Sequence, residues 1–408
     1  MKIKRLEIKG YKSIGHLVLE DVPSLMVLAG ANGAGKSNLV EALAFFGAVI
    51  RYGLDSAIKD FGGLSDILPK RNDSEVSKEM LLKIEVNLNS AIFSYLSKLR
   101  FSEDGNFIIE EELSKDNNIV FISNIENTKE AEAILSEYKS NMNELANKIK
   151  EARSDVAQYL NNHAYETLKE FRLTSSKPSK FSTLLMIEDF DYIELFDFVT
   201  NIKIFRIDPF TAKYPSRDII NSDELNPNGN NITAVLAKLE KDDDFRETLM
   251  EWLELIVPQM QEINASANRL DGSVGLSFTE ASGKQFPAHL ISDGTIYVIC
   301  ILTAILSRYN EYGITIIEEP ERGIHPKAIG EIIGFIRNKM AESGKHTVIL
   351  TTHSESVVRN SEVEELFFVQ QENGATQVKS LRGSSVDKNK IPLDTAWLTN
   401  ILGGGSPW

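Results

Sequence analysis

The run GANGAGKS (30–37) restricts this chain more than any other stretch. It fits the pattern G-x-x-x-x-G-K-[ST] and stands between an apolar run, SLMVLAG (24–30), and a helix-like one, NLVEALAFFGAVI (38–50). Gly30, Gly33 and Gly35 free the backbone to curl, so successive N–H groups turn inward and form an anion nest at the positive end of the following helix. Lys36 then reaches the β- and γ-phosphates of a nucleotide, and the Ser37 hydroxyl is a ligand for Mg2+. A strand, a glycine loop and a helix in this order predict an α/β fold.

The run ITIIEEPERGIHP (314–326) bears on the same chemistry. An apolar strand ends in two adjacent glutamates, Glu318 and Glu319, closed by Pro320. Two like charges at a buried strand end need positive partners. In a phosphate-loop protein a neighbouring strand delivers an acid to the loop's Mg2+, directly or through water. Glu318 is the candidate for that side, and Glu319 is placed to orient and deprotonate a water in line with the γ-phosphate.

Two further runs follow the same logic. LISDGTIYVICILTAIL (290–306) sets Ser292, Asp293, Gly294 and Thr295 before an apolar helix, where Ser292 or Asp293 would cap and Gly294 would help form a second anion-binding end. VILTTHSESV (348–357) ends an apolar strand at His353, whose neutral imidazole could contact a γ-phosphate or the attacking water.

The rest of the chain sets bounds. Of 408 residues 42% are hydrophobic, enough for a core, and 44 Lys plus Arg against 59 Asp plus Glu leave a formal charge of −15. That balance argues against a generally basic nucleic-acid binder, without excluding a local basic groove. No apolar run is long enough to span a bilayer. The single Cys300 lies in an apolar run and reads as a core thiol, which suits a reducing cytoplasm. MKIKRLEIKG and LLKIEVNL read as strands, and RFSEDGNFIIEEEL and GSVGLSFTEASGKQF as hairpins. NIKIFRI, GITIIEE and HTVILTTHS read as further strands, and NITAVLAKLEKDDDFRETLMEWLELIV as one helical stretch. Between Ala131 and Tyr159 apolar positions alternate by 4 and 3, a heptad pattern. It suits either an ordinary long helix against the body or a projecting, dimer-forming arm. The predicted layout is an N-terminal lobe (1–118), a helical insertion (119–200) and a C-terminal lobe (201–408).

As an ordered set, YKSI (11–14), GANGAGKSN, LISDGT, IIEEPERGIHP and TTHS resemble the ABC-type ATPases of the RecF, SMC and Rad50 group, nearest the branch of OLD-family nucleases and related bacterial defence ATPases. IDPFTAKYP and NPNGNNITAVLAKL resemble the middle of that branch. The resemblance implies an ABC-ATPase head: a phosphate-loop parallel sheet with an antiparallel β subdomain and a partly coiled-coil helical insertion. It also implies ATP with Mg2+, the nucleotide being held by Gly30, Asn32, Gly33, Ala34, Gly35, Lys36, Ser37 and Asn38 and the metal by Ser37 and Glu318. Glu319 and His353 are then catalytic. In this family two ATPs are sandwiched in a head-to-tail dimer, so Ser292 and Gly294 would meet the nucleotide of a second copy. ERGIHP, with His325, would occupy the D-loop position at the interface. Lys12 matches a basic residue near the nucleotide of relatives.

Departures from the family pattern are informative. Glu318 stands where many relatives have Asp, and the added methylene favours a water-mediated metal contact. No Gln precedes Gln158, so the usual Q-loop glutamine is missing; FGGLSDIL (61–68) is the stand-in region. OLD-type relatives carry a metal-dependent nuclease domain after the ATPase, and the residues following His353 are too few for one. An effector nuclease or toxin is therefore expected as a separate partner, beside a second copy of the chain. DNA is a further candidate partner, and a membrane is not. The alternatives are a RecF- or SMC-like repair ATPase that clamps DNA, and a nucleotide-gated scaffold with little turnover.

Overall fold

Residues 25–29, 313–318 and 346–352 are almost wholly apolar or threonine, and each run forms a fully or nearly fully buried strand: β3 (Leu25–Ala29), β12 (Gly313–Glu318) and β13 (His346–Thr352). Strands covered on both faces lose the polar alternation of a half-exposed sheet, so they read as continuous apolar runs. In the computed structural model, which describes residues 1–69, 79–101, 107–125, 190–215, 224–239, 241–267, 273–383 and 392–399, they form the centre of a mixed sheet. Its order is β15-β14-β3-β13-β12-β8, with β8 (Ile202–Phe205), β14 (Leu366–Glu372) and β15 (Ala375–Ser380). Every neighbouring pair is parallel except the edge pair β14–β15.

The chain divides into two units. The first holds 1–2, 21–40 and 201–408, and therefore the mixed sheet. A three-stranded antiparallel sheet, β11-β10-β9, belongs to it as well, with β9 (Met260–Ala267), β10 (Val274–Glu280) and β11 (Gln285–Pro287). The predicted hairpin at 272–286 is the β10–β11 pair. The helical stretch predicted after Asn230 is two helices, Ile232–Leu239 and Asp243–Ile256. Asp242 divides them: its Oδ1 accepts the Phe245 N–H at 3.1 Å, and the acids behind it favour a helix start.

The second unit holds 3–20 and 41–200. Its six-stranded sheet runs β2-β1-β4-β5-β6-β7, with β1 (Lys2–Tyr11), β2 (Ile14–Val22), β4 (Glu79–Leu88), β5 (Ala91–Phe101), β6 (Phe107–Lys115) and β7 (Asn118–Ile125). β4, β5, β6 and β7 pair antiparallel in succession, with Phe101 of β5 opposite Phe107 of β6; the predicted turn at Asp104-Gly105 lies outside the described residues. Along β4 the residues Met80, Leu82, Ile84, Val86 and Leu88 are buried and the rest are not, the alternation expected of a half-covered sheet. Residues 119–125, assigned from sequence to the start of a helical insertion, are strand β7; a helix returns at Phe190–Thr200. The heptad run 131–159 lies outside the described residues. Among the described residues no helix is long and apolar enough to cross a membrane.

Candidate nucleotide site

The loop that follows β3 is shaped by its glycines. Gly33 and Gly35 have φ of +78° and +102°, the left-handed half of conformational space that side chains disfavour. A Cβ on Gly30 would fall 2.3 Å from the Val369 carbonyl oxygen, and one on Gly35 2.0 Å from Thr376 Oγ1. Helix α1 (Lys36–Tyr52) starts immediately, with the Leu39 N–H on the Gly35 carbonyl. Asn32, Gly33 and Ser37 are exposed, Ala34 is buried, and Asn38 is half-buried in the first turn. Lys36 folds back and donates from Nζ to the carbonyls of Gly30 at 2.7 Å and Ala31 at 2.9 Å. Burial pulls its pKa below that of an ordinary lysine, while Glu319, Glu321 and Glu318 pull the other way. The ammonium is thus a half-buried cation in the field of three carboxylates, hydrogen-bonded to backbone carbonyls.

The paired acids stand at the end of β12, beside β13, which in turn pairs with β3. Glu318 has a counter-ion in the same unit. Arg206 donates from Nε to Oε2 at 2.7 Å and from Nη2 to Oε1 at 3.2 Å. The parallel register that puts Phe205 opposite Ile317 makes Arg206 and Glu318 the next pair along. The run NIKIFRI reads as a strand, and nothing in its pattern marks the arginine as a partner of Glu318.

Glu319 lies one residue beyond, at φ +50°. Its N–H donates to the Thr351 carbonyl at 2.8 Å, and its Oε1 lies 3.3 Å from His353 Nδ1. Both side chains are about half exposed, so they face solvent together. Glu321 is a residue the motif reading passed over. Its Oε1 accepts from the Thr352 hydroxyl at 2.7 Å and from the His353 N–H at 3.3 Å, and its buried Oε2 has no partner. Burial holds this carboxyl above the ordinary carboxylate range, against those two hydrogen bonds. The signal for it was present, a third glutamate directly after Glu-Glu-Pro.

The turn at 292–295 is a helix cap. Ser292 Oγ accepts the Thr295 N–H at 3.1 Å and starts helix α5 (Asp293–Leu306; helices α2 to α4 are Phe190–Thr200, Ile232–Leu239 and Asp243–Ile256). Asp293 is ion-paired with Lys213. A Cβ on Gly294 would meet the Gly323 carbonyl oxygen at 2.4 Å, so only glycine allows this approach. His325 caps helix α6 (Pro326–Ser343), its Nδ1 accepting the Lys327 N–H at 3.2 Å. Lys12 belongs to the second unit, where its ammonium pairs with Glu41 at 2.5 Å and its N–H donates to the Ile67 carbonyl at 2.9 Å. The two segments YKSI and FGGLSDIL therefore meet each other there.

These residues suit a magnesium nucleotide. The glycine cradle has no room for side chains, and the Ser37 hydroxyl and Glu318 carboxylate are the hard oxygen donors that Mg2+ takes. No cluster of three or more His, Cys, Asp or Glu that could hold a metal occurs among the described residues. Arg206 occupies one lone pair on each Glu318 oxygen, which leaves the carboxylate able to meet a metal ion directly or through water.

A phosphate loop fed by a central parallel strand, paired acids on a nearby strand and a helix-capping Ser-Asp-Gly-Thr turn are laid out on the fold of an ABC-type P-loop ATPase head. The fold is similar to that of an SMC head bound to the C-terminal winged-helix domain of ScpA, with a TM-score of 0.52 at 14% identity over 92% of this chain and 97% of that one. An SMC head domain from Thermotoga maritima matches with a TM-score of 0.48 at 11% identity, over 93% of this chain and 99% of that one. At such identities the first likeness establishes the fold alone. The chain belongs to the family described as "AAA domain, putative AbiEii toxin, Type IV TA system", which matches residues 25–359. No curated protein matches the chain at a significant level.

Proposed function

We propose that this chain hydrolyses ATP in composite sites formed by two copies arranged head to tail. The cycle would govern a separate effector, a nuclease or toxin, in bacterial defence against phage. The observation that carries the chemistry is the 3.3 Å approach of Glu319 and His353 from the ends of the neighbouring strands β12 and β13, with the Lys36 ammonium in the field of Glu319, Glu321 and Glu318. Lys36 has only backbone carbonyls to leave when a phosphate enters, so its transfer exchanges neutral acceptors for an anion. Mg2+ at Ser37 and Glu318 would supply neutralisation of charge on the phosphate oxygens. Glu319 orients and deprotonates the attacking water, and His353 contacts the same water or the γ-phosphate. Glu321 steadies His353 through its backbone N–H. Ser292 and Gly294, at the exposed start of α5, close the site of the second copy.

The effector reading draws on the family description, which names a toxin and a type IV toxin–antitoxin system. A cytoplasmic setting follows from the need for ATP. A scaffold that scarcely turns ATP over is disfavoured by the Glu319–His353 pair. The deciding experiment is light scattering of Glu319→Gln with saturating ATP, run beside phosphate release by the native chain. A dimer mass and a measurable turnover are expected. A monomer under those conditions sinks the composite site, and turnover that rises with DNA would move the reading to a DNA clamp.

A further inference from the structure

We propose that Tyr297 is a positioning residue for hydrolysis, holding the Glu319 peptide from the helix that begins at the Ser292 turn. This rests on the reading of Glu319 as the water-orienting acid and of residues 292–294 as the part that meets a second copy.

Tyr297 lies in α5, five residues past the Ser292 cap, roughly 7–8 Å along the helix. Its ring is buried, and its hydroxyl approaches two carbonyl oxygens, Glu318 O at 3.1 Å and Glu319 O at 2.9 Å. A phenol has one hydrogen, so the hydroxyl donates to one of these at a time, and Glu319 is the nearer. Burial raises the pKa of this phenol, so it remains a donor throughout the working range of pH.

What it holds is unusual backbone. Glu319 sits at φ +50°, a conformation that costs a non-glycine residue on the order of 1 kcal/mol and persists only where the surroundings impose it. Three groups do so. The Glu319 N–H is tied to Thr351 on β13, and the Glu319 carbonyl accepts from the Arg322 N–H at 3.0 Å and from Tyr297. The first two ties come from the strand pair and from the turn that follows. Only the third comes from α5. That left-handed residue decides where the Glu319 side chain leaves the strand end, and therefore where its carboxylate stands relative to His353.

A second contact joins the same parts. The Gly294 Cα lies so close to the Gly323 carbonyl that a Cβ would meet it at 2.4 Å. The first turn of α5 thus packs on the loop leaving Glu319, while Tyr297 grips Glu319 itself. Every residue from Thr295 to Leu306 is buried, so α5 is held all round and carries a displacement of its first turn along its length. A second copy's phosphate at Ser292 and Gly294 would therefore act on Glu319 through one hydroxyl and one close backbone contact.

The competing account is a buried tyrosine satisfying its hydroxyl on convenient carbonyls. Tyr297→Phe keeps the ring and removes the donor, and Thr303→Val is the control. Thr303 is a buried residue of the same helix whose hydroxyl has no partner, and its loss should leave turnover unchanged. For Tyr297→Phe the expected result is a kcat lower by about 10- to 100-fold, with KM for ATP within about threefold and ATP-dependent dimerisation retained. A Tyr297→Phe protein that dimerises with ATP and turns over within about twofold of the native chain overturns the proposal. So does a loss of kcat accompanied by an equal loss of nucleotide affinity and melting temperature, which marks a structural role. If the native chain neither dimerises nor hydrolyses ATP, the proposed function itself has failed, and the role of Tyr297 falls with it.

Discussion

Arg206 grips both carboxylate oxygens of Glu318 with a two-pronged guanidinium, one residue past the point where β8 and β12 end their pairing. That contact explains how two adjacent glutamates can end a buried strand: one has an arginine in the same unit, and the other turns to His353 and solvent. It also gives Glu318 a cationic partner in the same place that a metal would act.

Removing the guanidinium should expose a cluster of acids to one another. Arg206 is half exposed, so its pair contributes roughly 0.5–1 kcal/mol. Arg206→Ala is expected to melt a few degrees lower in metal-free buffer, and to regain more than the native chain on adding Mg2+ with ATP. Melting curves with and without Mg2+ check this. Equal metal response in both proteins would show that Arg206 does not neutralise the site.

Lys36→Ala removes a loop ammonium that feels the charge of Glu319, Glu321 and Glu318. Charge-assisted bonds to phosphate are lost with it, and affinity for ATP should fall about 100-fold or more. Titration with a fluorescent ATP analogue measures the loss. Retained affinity would mean that the nucleotide sits elsewhere.

Two glycines of the loop should respond differently to the same added methyl. At Gly33 no atom stands within 4 Å of the new Cβ, so Gly33→Ala carries only backbone strain, about 1 kcal/mol. At Gly35 the Cβ would also strike Thr376, and the cost should reach about 3 kcal/mol. Urea unfolding of the two variants gives the comparison. Equal midpoints would show that β15 does not press on the loop as described.

His346 governs a pH dependence away from the site. It is buried at the start of β13, with Nε2 2.8 Å from Thr315 Oγ1 and Nδ1 3.0 Å from the Glu311 carbonyl oxygen. Burial pulls its pKa down from 6.5 to about 4. The unfolded chain then binds the proton more readily than the folded one, so stability is complete above pH 6.5 and declines as pH falls toward 4. The full loss is about 3 kcal/mol. Unfolding free energies at pH 7 and pH 4.5 should differ less in His346→Gln than in the native chain.

How much was legible follows from how local each feature is. Gly33 and Gly35 at positive φ, the Ser292 cap and the buried strands ending at Ala29, Glu318 and Thr352 are all short-range consequences of residue type. The break at Asp242 was also local. The helical pattern continues across it, and the Asp242 cap on the Phe245 N–H outweighs that pattern.

Residue order alone determined that a glycine cradle would stand between a buried strand and a helix, and that two acids and a histidine would end buried strands. Tertiary structure alone decided their partners. Arg206 reaches Glu318 because β8 pairs with β12 in one register among several possible, across more than a hundred residues of chain. Tyr297 reaches Glu319 because α5 packs with that side toward the end of β12. Strand register and helix packing are settled by the whole core at once, since each buried side chain must find space among all the others, and no short window of sequence holds that information.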